Sequence, residues 1–160
     1  MNSSQPQILL NLDSRANLKT SRLSQKILIK EMNHEASGYA AVMTRIIGCA
    51  MTVHITLGGG FEEEIYQNAM DLEMRIAGLK FVQNIDMPVH YRNEVVGTRR
   101  VAFLVEKQIY LELKAIPRLE NFHIEQANHY LEALNLPGGL LINFGESGLR
   151  FTELGTSELP

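Results

Sequence analysis

Val101–Ala115 reads VAFLVEKQIYLELKA, an apolar alternation that predicts two strands joined by a tight turn. With the turn centred on Lys107, Val101 faces Leu113, Phe103 faces Leu111 and Val105 faces Ile109. Three apolar pairs on one side make a consistent antiparallel register, because opposed residues share a face. The same register sets Arg100 by Lys114, Leu104 by Tyr110 and Ala102 by Glu112 on the other side. Glu112 and Lys114 are two residues apart and therefore stand next to each other on that second side. A Glu-x-Lys pair closing an otherwise hydrophobic strand is the natural place for chemistry in this chain.

Outward from this hairpin, Phe81–Tyr91 and Glu94–Val105 carry strand patterns separated by the turn residues RNE. Pro88 lies inside the first of them and predicts an edge strand or a bulge. Upstream, Val42, Ile46, Cys49, Ala50, Val53 and Leu57 recur at helical spacing, so a helix is expected over about 38–57. The GGG at 58–60 ends it. A second helix is expected over about 61–77, with Phe61, Ile65, Ala69, Leu72 and Ile76 as its inner face. Downstream, 119–135 returns to a helical pattern through Phe122, Ala127, Tyr130, Leu131 and Leu134. LLINF then reads as a buried strand and LRFTEL as one more. The succession describes an α/β domain around a mixed sheet of about four to five strands, running from residue 36 to 160. Residues 1–35 are polar with two short apolar patches and read as an N-terminal extension, a flexible or docking arm.

The 160 residues suffice for one domain with a core, and a 45% apolar, 21% charged composition is that of a globular protein rather than a disordered one. A net charge of −3 argues against whole-surface binding of a polyanion, which would need a local basic patch. Arg99, Arg100, Lys107, Lys114 and Arg118 supply one near the sheet end, although solvated surface charge gives the same pattern. A lone cysteine, Cys49, excludes an intrachain disulfide, suits a reducing compartment and reads as a small buried hydrophobe. No segment is expected to span a bilayer, and the N-terminus lacks the layout of a signal peptide. The expectation is a cytoplasmic protein without a membrane partner.

Each candidate residue has a plain structural alternative. Glu112 and Lys114 suit a divalent cation and an attacking water, but a same-face ion pair on a sheet edge is commoner for Glu-x-Lys alone. Glu62–Glu64 open the second helix, where carboxylates complement the macrodipole without any function. Glu63 and Tyr66 share a helix face at i, i+3. Gln126 and Tyr130, at i, i+4, can present a polar pair toward the sheet. His54 reads as structural, bonded to a neighbouring backbone group. With His123 and His129 it makes no zinc spacing.

Taken together, the pieces resemble a known family. IIGCAMTVHITLGGGFEEEIYQNAM resembles the opening of the GxxExxY proteins, with the motif on Gly60, Glu63 and Tyr66. The resemblance continues through MPVHYRNEVVGTRRVAFLVEKQIYLELKAI, EQANHYLEAL and GGLLINFG, and covers roughly residues 43–152. That family is placed in the PD-(D/E)xK nuclease superfamily, which implies a restriction-endonuclease-like fold and metal-dependent phosphodiester hydrolysis. By this resemblance Glu112 is the strand carboxylate for Mg2+ or Mn2+, Glu63 the helix-borne acid reaching the metal, and Lys114 the catalytic lysine. Gln126 would support the site, while Tyr66, Arg99, Arg100, Arg118 and Tyr130 would meet the substrate. The implied partner is nucleic acid, DNA before RNA, and a homodimer would suit the cutting of two strands.

One departure bears on all of this. The family's preceding strand reads R-x-D-x-x-V-E with the aspartate as a principal metal ligand, and here Ala102 holds that place. Either a natural copy has lost activity or an Asp→Ala exchange was made to stop cleavage, and the second accords better with every other matching residue being kept. The expected function is therefore a metal-dependent nuclease, inactive or impaired as written. The alternatives are a non-catalytic nucleic-acid- or protein-binding module on the same scaffold, and a small-molecule hydrolase using the same site.

Overall fold

The computed structural model describes residues 38–155. The extension expected over 1–35 lies outside the described residues. In chain order these form α1 (Gly38–Leu57), α2 (Glu63–Ile76), β1 (Phe81–Tyr91), β2 (Glu94–Val105), β3 (Ile109–Lys114), α3 (Asn121–Ala133), β4 (Gly138–Asn143) and β5 (Arg150–Gly155). The strands make one five-stranded sheet in the order β1-β2-β3-β4-β5. Only β3 and β4 run parallel, and α3 provides the crossover that a parallel pair requires. The sheet is thus mixed, as the succession of elements predicts, and β1 with its Pro88 is an edge strand.

Alternation along β3 and β4 sorts the core into two clusters. Ile109, Leu111, Leu113, Leu140, Ile142 and Phe144 pack with α1 and α2, while Tyr110 and Leu141 pack with Ala127 and Leu131 of α3. All six residues of β4 are buried, as expected for a strand covered on both faces. In α1 the expected face is the observed one, with Ile46, Cys49, Ala50 and Val53 buried and Met43 added to them.

Two expectations about the helices are corrected. The inner face of α2 consists of Tyr66, Met70, Asp71 and Met74, whereas Phe61, Ile65, Leu72 and Ile76 are exposed. The helix carries two apolar stripes, and the one containing Tyr66 is inside because its ring stacks on Phe144 at 4.6 Å and 11°. Its hydroxyl also donates to the Gly58 carbonyl (2.7 Å) and accepts from the Phe61 N–H (3.2 Å). Those bonds secure the turn in which Gly58 (φ 69°) and Gly60 (φ 101°) adopt a backbone that side chains disfavour. Second, α1 is long and apolar enough by length and composition to cross a membrane. Its one arginine, Arg45, donates to the Ala77 carbonyl, and its buried side belongs to the core cluster, while Met51 and Ile55 on its other side are exposed.

Candidate active site

The hairpin register is observed for Phe103–Leu111, Leu104–Tyr110 and Val105–Ile109. It then stops. β2 continues along β1 to Tyr91–Glu94, and β3 continues along β4 to Lys114–Asn143. The two central strands therefore part beyond Phe103 and Leu111 and leave a wedge between them. The expected pairings of Ala102 with Glu112 and of Val101 with Leu113 are not made. Val101 instead joins the α3-side cluster, and half-buried Ala102 packs on the other. Across the sheet from Ala102, Asn84 of β1 is unpaired and has φ 54°, so the backbone is kinked on that side as well. Glu112 and Lys114 lie on the part of β3 beyond the last β2–β3 pair, with their side chains largely buried.

Lys114 Nζ lies 3.2 Å from Glu112 Oε1. The other carboxylate oxygen, Oε2, accepts a 2.7 Å hydrogen bond from the Tyr110 hydroxyl. Burial first and the Glu112 carboxylate second hold the Tyr110 phenol far above its ordinary range, so it remains a donor. Arg99 lies over the Tyr130 ring at 5.3 Å, and both are within electrostatic reach of Tyr110. This contact ties β2 to α3.

Glu63 opens α2 and is accessible to solvent. Desolvation raises its carboxyl above the ordinary value of 4.5, Lys114 opposes the rise, and Glu112 adds to it. Glu63, Glu112 and Lys114 thus share one electrostatic neighbourhood, although they are far apart in sequence. A raised acid binds its proton more tightly in the folded state, so ionisation costs stability as pH rises past 4.5. Glu63→Gln is therefore expected to match the parent below about pH 4 and to be the more stable protein at pH 7. Urea unfolding at both pH values checks this, and a variant less stable at pH 7 would contradict it.

The remaining expected site residues are dispersed. Gln126 is exposed on α3, one turn before Tyr130. Tyr66 is fully buried and occupied by the Gly58–Phe61 turn, which removes it from any substrate. Arg100 is exposed and pairs with Asp86 across β1–β2 at 3.3 Å. Arg118 is exposed beside the α3 N-terminus. Lys107 lies at the β2–β3 turn, at the opposite end of β3 from Lys114, so the expected basic cluster loses it. His123 accepts the Glu120 N–H through Nδ1 in the α3 cap. The buried Nε2 of His54 has no partner among the described residues, contrary to the backbone bond expected for it.

Three residues of this region carry no signal in the sequence. One is Tyr110, which looks like any aromatic in a core strand. The others are Asn143 and Glu146. Asn143 is fully buried beside Lys114 in the parallel register. Its Oδ1 accepts from Ile116 N–H (3.0 Å) and Gly145 N–H (3.2 Å), and its Nδ2 donates to the Ile116 carbonyl (2.9 Å) and Glu146 Oε1 (3.1 Å). Glu146 Oε1 also accepts from the Leu119 N–H at 3.1 Å. That N–H first, and Asn143 second, hold the Glu146 carboxyl below the usual carboxylate range. The network anchors the chain where it leaves β3, directly behind Lys114.

As they stand, these residues do not compose a cation site. Glu112 already has both oxygens engaged, Ala102 offers no donor, and no group of three His, Cys, Asp or Glu among the described residues is placed to hold a metal ion. Among known proteins, the family model described as the PD-(D/E)XK nuclease superfamily matches residues 40–153. No curated protein and no solved structure matches the chain.

Proposed function

Since this chain belongs to the PD-(D/E)XK nuclease superfamily, we propose that it is a GxxExxY-type nuclease scaffold that binds DNA and has its phosphodiester cleavage disabled at Ala102. The observation that carries this reading is the wedge, with Glu112 and Lys114 at its opening and Glu63 within their electrostatic reach. Superfamily chemistry generally relies on a divalent cation, Mg2+ or Mn2+, to supply a nucleophilic water and to screen the phosphate. Two carboxylates are needed for it between the central strands, and this wedge has one.

The protein's own groups retain a substrate-binding role. The Lys114 ammonium can face a phosphate oxygen, and Arg99, held flat on Tyr130, presents a planar donor fork suited to phosphate. Gln126 and Arg118 stand on and beside α3, where a bound strand would pass. Two copies, one for each strand, would suit duplex cleavage by an intact relative of this site.

A second reading, a binding module without turnover, is favoured by the occupied state of Glu112 and by Ala102 itself. Both readings require nucleic acid in the wedge. The test is equilibrium binding of labelled duplex DNA, single-stranded DNA and RNA by the full chain at stepped salt concentrations. Expected is binding to DNA that weakens with salt, and an Arg99→Gln variant whose logarithmic salt slope is smaller by about 1. Absence of binding to all three polymers at low salt would contradict both readings.

A further inference from the structure

Glu112 is held at both ends by protein. Tyr110 donates to Oε2 at 2.7 Å and Lys114 meets Oε1 at 3.2 Å. The Glu112 and Lys114 side chains are only 12% and 19% exposed, so little of the carboxylate is open to a further ligand. Tyr110 itself is fully buried among the α3-side core residues. A side chain on Gly139 of β4 would run into its carbonyl oxygen and Cβ, so the neighbouring strand lies tight against its backbone. A phenylalanine would fill the same core position. What the hydroxyl adds is the bond to Glu112.

We propose that Tyr110 is a positioning residue that, with Lys114, clamps Glu112 in a metal-free state, so that this chain keeps the wedge as a binding surface and does not load a divalent cation there. The inference rests on the nuclease-scaffold reading above. Its physical content is competition. Each carboxylate oxygen keeps a second lone pair, but a cation at Oε2 competes with the Tyr110 bond for the same charge and one at Oε1 meets the Lys114 ammonium at short range, where like charges repel. Ala102 returns nothing in exchange. Ala102 and the clamp therefore both disfavour a cation at Glu112.

Mn2+ titration by calorimetry and thermal shift tests this with the full chain, Ala102→Asp, and Ala102→Asp/Tyr110→Phe. Glu112→Gln serves as the control that locates binding in the wedge. The parent chain is expected to show no Glu112-dependent binding. The double variant is expected to bind Mn2+ about tenfold or more tighter than Ala102→Asp, which is the equivalent of one hydrogen bond to a charged acceptor. Equal affinity in the two variants, no Mn2+ binding by either, or Glu112-dependent binding by the parent would each overturn the clamp. A second measurement addresses the contact directly. In a stability cycle of Tyr110→Phe and Glu112→Ala, the effects are expected to be non-additive, and additive effects would overturn the direct bond. The two levels fail separately. Tighter Mn2+ binding by a double variant that cuts no nucleic acid would keep the clamp and remove the nuclease reading.

Discussion

Asn143→Ala is expected to lower the stability of the protein by about 2–4 kcal/mol, because it strips hydrogen bonds from partly buried backbone groups that have no substitute partners. Four bonds are lost at once, two of them to the N–H and carbonyl of Ile116. Asn143 is 0% exposed, so solvent does not readily replace the side chain, and alanine leaves a polar-lined void. Consequences for the site follow from position. Lys114 pairs with Asn143 in the parallel register, and the Phe144 N–H donates to the Lys114 carbonyl at 2.8 Å. Loosening the segment after β3 is therefore expected to weaken DNA binding as well as stability. Urea unfolding midpoints measure the first effect, and a loss below about 1 kcal/mol would show that the network is replaceable.

Much of the fold is legible in the residues because the two periodicities are clean. The hairpin register follows from the apolar pairs Phe103–Leu111 and Val105–Ile109, whereas the third expected pair, Val101–Leu113, is not made, and the edge position of β1 follows from Pro88. What is not legible has physical causes. α2 carries apolar residues on two stripes, and the choice between them depends on Phe144, some eighty residues away in sequence and stacked on Tyr66. The pairing of Ala102 with Glu112 is a valid continuation of the ladder. It fails because β2 keeps β1 as its partner while β3 keeps β4, a competition invisible within the hairpin itself. Glu112 and Lys114 stand out from the hairpin pattern and Glu63 from the helix start, the resemblance supplies their roles, and the structure gives them a common electrostatic neighbourhood. Tyr110 and Asn143 escape detection because a single tyrosine or asparagine in an apolar strand has no pattern. Their roles exist only once partners from other elements arrive.

Ala102→Asp carries the other large effect. Position 102 lies one residue past the last β2–β3 pair, at the opening of the wedge that holds Glu112. Under the proposed function a carboxylate at 102 is expected to add an anionic donor for a divalent cation, with the β2 backbone turning to bring it from the α1–α2 side, where Ala102 packs, toward Glu112. Cleavage is expected to rise from background to a rate set by the rest of the site, with Lys114 contributing about 10²–10⁴-fold as the group serving the attacking water. The Tyr110 bond to Glu112 would restrain that gain, so the rate is expected to rise further when Tyr110→Phe is added.

The most direct measurement is cleavage of plasmid and single-stranded DNA with Mg2+ or Mn2+ by three proteins: the chain with Ala102, Ala102→Asp, and Ala102→Asp/Lys114→Ala. The expected result is cutting by Ala102→Asp alone, dependent on the added cation and abolished by Lys114→Ala. Absence of cleavage by Ala102→Asp, in a protein that remains folded and binds DNA, would contradict the account of a nuclease disabled at one position.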